Sequence, residues 1–157
     1  MDMVKIKKRQ IVITKTNHNF ENEGVLNPAV ILHNGSIHMF YRAVSIGNYS
    51  TIGYCKLKNP FEVEERLEIP LLVPKGDTEL QGIEDPRIVK IDNLFYLTFS
   101  AYDGVNALGS LATSTDLRLF ERKGIIVPQM NYRSFSHLVG AQKPVSEKYL
   151  RFNSHEG

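Results

Sequence analysis

An all-β fold assembled from repeated antiparallel units is what this sequence predicts, and three observations carry the prediction. Two stretches share an internal spacing: Asn27-Pro28 and Asp85-Pro86 stand 58 positions apart, and the later phenylalanines Phe61 and Phe120 stand 59 apart. Each stretch sets a tight-turn dipeptide, Asn34-Gly35 or Asp92-Asn93, between two runs rich in β-forming residues, as a β-hairpin does. The one segment that reads as a helix is about Tyr132 to Val139, after Pro128, so helical content is small. A repeat of four short antiparallel strands is the pattern of a β-propeller blade. At 58 residues the unit exceeds the roughly 40 to 50 of common blades and implies long loops.

Residues 4 to 14 alternate and are rich in Val and Ile, which predicts a first strand; a polar segment with Asn17, His18, Asn19 and Asn22 follows. Asn27-Pro28 opens a second strand, and Ala29 to His33 with Ile37 to Val44 make the first hairpin. Ser50 to Leu57 is a third strand, Asn59-Pro60 a breaker, Leu67 to Val73 a further short strand, and Pro74 to Gly82 a loop. The pattern then returns as Arg87 to Ile91, Leu94 to Ala101, a loop at Asp103-Gly104, and Leu108 to Ser114.

Composition bounds the function classes. With 157 residues, 42% hydrophobic and 23% charged, the chain has room for one ordinary core and fits neither a disordered nor a membrane protein. A net charge of +2 is too mild to point to nucleic acid, and Lys5, Lys7, Lys8 and Arg9 interleave with Val4 and Ile6 as a solvated strand face would. The lone Cys55 sits in the apolar run Ile52-Gly53-Tyr54-Cys55, where a thiol behaves as a small hydrophobe. No apolar run is long enough to span a bilayer, and the N-terminus lacks the apolar core of a secretory signal, so a cytoplasmic protein is expected.

The candidate site is the stretch Gly82-Ile83-Glu84-Asp85-Pro86-Arg87. Pro86 pushes Asp85 out of the α region towards an extended conformation and so aims its carboxylate. Glu84 opposes a second negative charge beside it, and Arg87 favours one. The structural alternative is that these charges pair with each other or cap nearby backbone. The repeat weighs against that alternative, because the register that matches Pro28 to Pro86 also matches Asn27 to Asp85. If these are the innermost strands of neighbouring blades, both side chains enter one axial funnel, and Arg42 at the far end of the hairpin returns to the same rim. One carboxylate, one amide and one guanidinium would suit a polyhydroxylated ligand.

The remaining signals read as structure. His18, His33, His38, His137 and His155 have no metal-ligand spacing, and His33 and His38 flank the turn as surface residues. The serines form no nucleophile elbow. Tyr41, Tyr54 and Tyr96 fall at strand spacing as packing residues, and Asp103 reads chiefly as a turn initiator.

Taken together, Gly24-Val25-Leu26-Asn27-Pro28-Ala29, Tyr41-Arg42-Ala43, Ile52-Gly53-Tyr54, Gly82 to Ile88, Tyr96-Leu97-Thr98, Ser100 to Gly104, and Ala112-Thr113-Ser114 with Asp116-Leu117 resemble glycoside hydrolase family 130. That family comprises mannoside phosphorylases and related hydrolases on a five-bladed β-propeller. The resemblance implies that Asp85 is the catalytic acid, in some members acting through a sugar hydroxyl. It implies that Asn27 and Arg42 hold the mannose at the cleavage subsite. Glu84, Arg87 and Asp103 are further candidates for substrate binding. Phosphate would attack the anomeric carbon from the opposite face, releasing α-mannose 1-phosphate from a β-mannoside with inversion, so that one protein carboxylate suffices. No metal or organic cofactor is implied; the expected partners are a β-mannoside oligosaccharide and inorganic phosphate, with a homo-oligomer left open and neither nucleic acid nor membrane. The alternatives are an inverting β-mannoside hydrolase, or a truncated non-catalytic carbohydrate-binding propeller. Five blades of 58 residues exceed 157, so residues 1–157 are expected to form one incomplete propeller domain, the N-terminal two blades and the start of a third. The family's phosphate ligands come mainly from later blades, and none is assigned here.

Overall fold

The computed structural model describes residues 8–128. They form eight strands: β1 (Gly24–His33), β2 (Ser36–Ser45), β3 (Tyr49–Asn59), β4 (Glu62–Arg66), β5 (Gly82–Ile91), β6 (Leu94–Tyr102), β7 (Ala107–Ser114) and β8 (Glu121–Val127). Short 3-10 turns at Asn19–Glu21 and Asp77–Glu79 precede β1 and β5. Strands β1 to β4 pair antiparallel in sequence order, as do β5 to β8. Between the two groups there is a single parallel pair, Ser50 with Gly82. The arrangement is two four-stranded blades hinged at one backbone contact. The expected helix at about residues 132–139 and the start of a third blade lie outside the described residues.

Strand starts repeat with the predicted period: Gly24 and Gly82, Ser36 and Leu94, and Tyr49 and Ala107 are each 58 apart, and Glu62 and Glu121 are 59 apart. The period also extends upstream of the strands. The turns at Asn19 and Asp77 are 58 apart, and each ends in a buried glutamate, Glu21 or Glu79. Each glutamate meets an arginine of its blade's outermost strand, Arg66 with Glu21 at 2.8 Å and Arg122 with Glu79 at 2.9 Å. Each guanidinium also lies over a ring of its blade's second strand, Tyr41 at 5.5 Å or Phe99 at 4.7 Å. The unit of this fold is a blade plus the clasp that ties its incoming segment to its outer strand.

One core fills the space between the blades. Ala29, Phe40, Ile52 and Tyr54 of the first face Ile83, Phe95, Leu97, Phe99 and Ala112 of the second. The opposite face of the first blade, with Met39, Tyr41, Cys55 and Leu57, is covered by Val12, Ile13 and Phe20 of the preceding segment. Of the three tyrosines expected to pack, Tyr41 and Tyr54 are buried and Tyr96 is half-buried, and the thiol of Cys55 is pushed up to about 11 by burial.

Four local expectations are corrected. The described part of the first expected strand, residues 8–14, has no ladder; it runs alongside the blade, with Arg66 donating to the carbonyl of Thr14 and Gln10 to that of Phe61. The adjacent Val12 and Ile13 pack on the blade while Ile11 is exposed, so the apolar residues of this stretch serve side-chain contacts rather than strand pairing. The fourth strand is Glu62–Arg66, not Leu67 to Val73, because the hydrophobic Leu67, Leu71 and Leu72 turn into the inter-blade core, where Leu72 makes only an isolated bridge to Ile52. β1 begins at Gly24, so Asn27-Pro28 lies inside a strand. His33 and His38 are half-buried: His33 packs edge-on against Phe95, and His38 Nδ1 lies 2.8 Å from the Tyr54 hydroxyl.

Candidate active site

The site is built on two β-bulges. In β1 the register passes from Leu26 opposite Arg42 to Ala29 opposite Phe40, leaving Asn27 and Pro28 against the single residue Tyr41. In β5 it passes from Glu84 opposite Ser100 to Arg87 opposite Thr98, leaving Asp85 and Pro86 against Phe99. A bulge admits one extra residue and re-aims a side chain. Proline lacks the N–H that a ladder position donates, and it is tolerated in a bulge because the extra residue there is left unpaired. Asn27 and Asp85 adopt φ of +47° and +50°, the left-handed region that Asn and Asp accept more readily than other side chains. The expectation of an extended Asp85 is thereby corrected. Pro86 does exclude the right-handed α region, but the bulge, not the strand, sets the backbone.

These equivalent bulges of adjacent blades meet. The Asn27 side-chain amide donates to Asp85 Oδ1, across 58 residues of sequence. Beside them Arg42 donates from Nε to Ser50 Oγ at 2.8 Å, and its Nη2 lies 2.6 Å from Glu84 Oε1. Asn27, Arg42, Glu84 and Asp85 are thus brought together at one end of the blade junction. Arg87, expected to be the local counter-charge, turns its Nη1 to the carbonyl of Pro86 at 2.7 Å, and the partner of Glu84 across the blades is Arg42. Arg42, Asn48, Glu84, Ser100, Tyr102 and Ala107 line a cavity of about 350 Å³. Among the described residues no group of three or more His, Cys, Asp or Glu is placed to hold a metal ion.

Two of the motif strings serve loops. Asp103 Oδ1 accepts from the backbone of Val105 and Asn106, and these bonds hold its carboxyl below the usual range, so the turn-initiating role is the one the structure displays. Asp116 and Ser114 likewise cap the backbone from Asp116 to Leu119, and the N–H groups of Leu119 and Arg118 hold Asp116 low. That loop carries Leu117, at φ +63°, fully into the core and aims Arg118 at Glu65 of the other blade.

Ser50, which the arginine reaches, and the clasp glutamates are not among the residues that the motifs single out. Ser50 carries no signal in a single sequence, since its role exists only where two blades touch. Glu21 and Glu79 did carry one, being 58 apart like the prolines.

The description of the family model that matches residues 1–156 is beta-1,4-mannooligosaccharide phosphorylase, glycoside hydrolase family 130. The chain belongs to this family. Its two bulged blades are blades of the five-bladed propeller on which the family is built. It is 33% identical over 144 residues to a 1,2-beta-oligomannan phosphorylase of Thermoanaerobacter sp. (strain X514), covering 82% of this chain and 48% of that protein. It is 30% identical over 145 residues, with the same coverage, to a beta-1,2-mannobiose phosphorylase of the same organism. A solved structure, published with the statement that the family 130 mannoside phosphorylases contain glycoside hydrolases that target beta-1,2 mannosidic linkages in Candida mannan, matches with a TM-score of 0.64. Its identity is 28%, over 73% of this chain and 38% of its own. The family 130 chain therefore spans about half the length of the curated relatives it matches. Among the described residues no helix is long and apolar enough to cross a membrane.

Proposed function

We propose that the whole protein cleaves β-mannosides by inverting phosphorolysis, with Asp85 as the proton donor and Asn27 and Arg42 holding the mannose. The observation that carries this reading is the contact between Asn27 and Asp85 from equivalent bulges. It holds one carboxyl oxygen and leaves the other for the glycosidic oxygen, directly or through a sugar hydroxyl. Arg42, tied beside it, supplies charged donors for hydroxyls. In the reaction a phosphate oxygen forms a bond to the anomeric carbon, the glycosidic C–O bond breaks on the opposite face, and the proton of Asp85 passes to the leaving oxygen. The product is α-mannose 1-phosphate. Phosphate is a co-substrate, and the reading needs no metal or organic cofactor. The names of the two phosphorylase relatives favour a β-1,2 linkage over the β-1,4 linkage in the family description. A cytoplasmic location accords with a phosphate co-substrate and a sugar-phosphate product.

The test is Asp85→Asn in the whole protein. Asparagine already occupies the equivalent bulge at position 27 with the same sign of φ, so the fold is preserved. Loss of a general acid lowers turnover by roughly 10²- to 10⁴-fold, read as mannose 1-phosphate formed from β-1,2-mannobiose and phosphate. Near-native turnover would remove Asp85 from the chemistry. Release of free mannose independent of phosphate, by the unaltered protein, would replace phosphorolysis with hydrolysis.

A further inference from the structure

Resting on the reading of Arg42 as a sugar-binding arm, we propose that Ser50 and Glu84 are positioning residues that fix the Arg42 guanidinium in one plane. Three features of the junction support this. Ser50 is fully buried at the single backbone pair that joins the blades, where its N–H faces the carbonyl of Gln81 at 3.4 Å. Gly82 opposite it is obligatory, because a Cβ there would lie 2.6 Å from both Ser50 N and Ser50 O. The hydroxyl of Ser50 is therefore located by the rigid junction itself, and it accepts Arg42 Nε at 2.8 Å. Glu84, one residue before the bulge and also buried, receives Nη2 at 2.6 Å.

Nε and Nη2 belong to one edge of the guanidinium fork, so anchoring both stops rotation of the group. A guanidinium has five N–H donors in a plane, more than these two bonds use. The rest are presented as a fixed set at the cavity that Arg42 lines. Such a set matches two neighbouring hydroxyls of a sugar, and a fixed fork loses less entropy on binding them. Glu84, a substrate-binding candidate on sequence grounds, acts here through Arg42.

The experiment is a double-mutant cycle in the whole protein carrying Asp85→Asn, which slows turnover, without phosphate, and with β-1,2-mannobiose binding read by calorimetry. Ser50→Ala weakens binding by roughly tenfold when Arg42 is present, the scale of one hydrogen bond to a charged group. It adds nothing further in the Arg42→Ala background. Glu84→Gln, which keeps an acceptor oxygen, weakens binding less than Glu84→Ala. Equal weakening by Ser50→Ala in both backgrounds, or none in the first, overturns the proposal. If Ser50→Ala does not fold, Glu84→Ala with Arg42→Ala runs the same cycle. A folded protein that binds no mannobiose refutes the substrate reading instead, and the tether is then decided by the Arg42 Nε–H signal in NMR. Slow exchange that is lost in Glu84→Ala or Ser50→Ala supports it; exchange unchanged by both overturns it.

Discussion

Replacing Glu21 by alanine should destabilise the first blade more than any surface change, and the clasp allows the size to be worked out. Glu21 has no exposed surface, and its carboxylate accepts from Thr16 Oγ1 at 2.7 Å, Tyr41 OH at 2.9 Å and Arg66 Nη2 at 2.8 Å. Removing one partner of a buried pair costs about 3–5 kcal/mol, because the other charge is left without compensation. Here the Arg66 side chain keeps 19% exposure and retains the Tyr41 hydroxyl and the Thr14 carbonyl, which places the loss near the lower end, about 3 kcal/mol. Glu21→Gln keeps an acceptor of the same shape and should lose about 1–2 kcal/mol. Replacing Glu21 and Arg66 together by leucine should recover part of the loss, since neither charge is then stranded. The assay is urea denaturation of the whole protein followed by circular dichroism, with hydrogen exchange of residues 14–21 as the local readout. A loss below about 1 kcal/mol for Glu21→Ala, or a double variant worse than the sum of its parts, would refute the argument that the clasp acts through paired burial.

Three further outcomes are expected. Burial holds the His38 imidazole below its ordinary 6.5, so the unfolded chain takes up the proton first. Stability is then full above about pH 6.5 and falls as pH drops below it, and His38→Gln should flatten that limb in denaturation midpoints compared at about pH 7.5 and 5.5. Gly82→Ala combines φ +129° with a Cβ 2.6 Å from the Ser50 backbone, so a loss of at least about 2 kcal/mol is expected, together with weakened mannoside binding. Melting and binding curves indistinguishable from the unaltered protein would contradict it. Cys55, fully buried and with its thiol raised by burial, should escape alkylation at about pH 8 in the native protein and react once it is unfolded, as peptide mapping would record.

Where local chemistry decides structure, the residues were legible in order. Asn34-Gly35 and Asp92-Asn93 make their turns wherever the flanking strands lie, and Asn34, Gly35 and Asp92 take the positive φ that such turns require. The period of 58 was visible because it is written in residue types that backbone geometry demands, Asn or Asp before Pro. The misreadings fall where alternation had two explanations. Residues 8–14 and 67–73 both alternate or run apolar, yet each is a connector lying against a blade. A run of apolar residues looks the same in sequence whether its backbone pairs along a ladder or is tied by scattered bonds, such as Arg66 to the Thr14 carbonyl and Leu71 N–H to the Ile52 carbonyl.

The repeated unit, its hairpins, the family, and the equivalence of Asn27 and Asp85 are written in the order of residues, since all of these follow from local backbone preference and from position along the chain. That the two side chains touch, that both bulges are left-handed, that Glu84 is held by Arg42, and that Ser50 sits at the pivot emerge only once the blades are packed together. Each of those depends on the angle at which one blade lies on the next. That angle is set by Phe40, Ile52 and Tyr54 packing against Ile83, Leu97 and Phe99, and by the room Gly82 leaves for Ser50. Shape complementarity of that kind is a property of two surfaces together, and neither strand carries it alone.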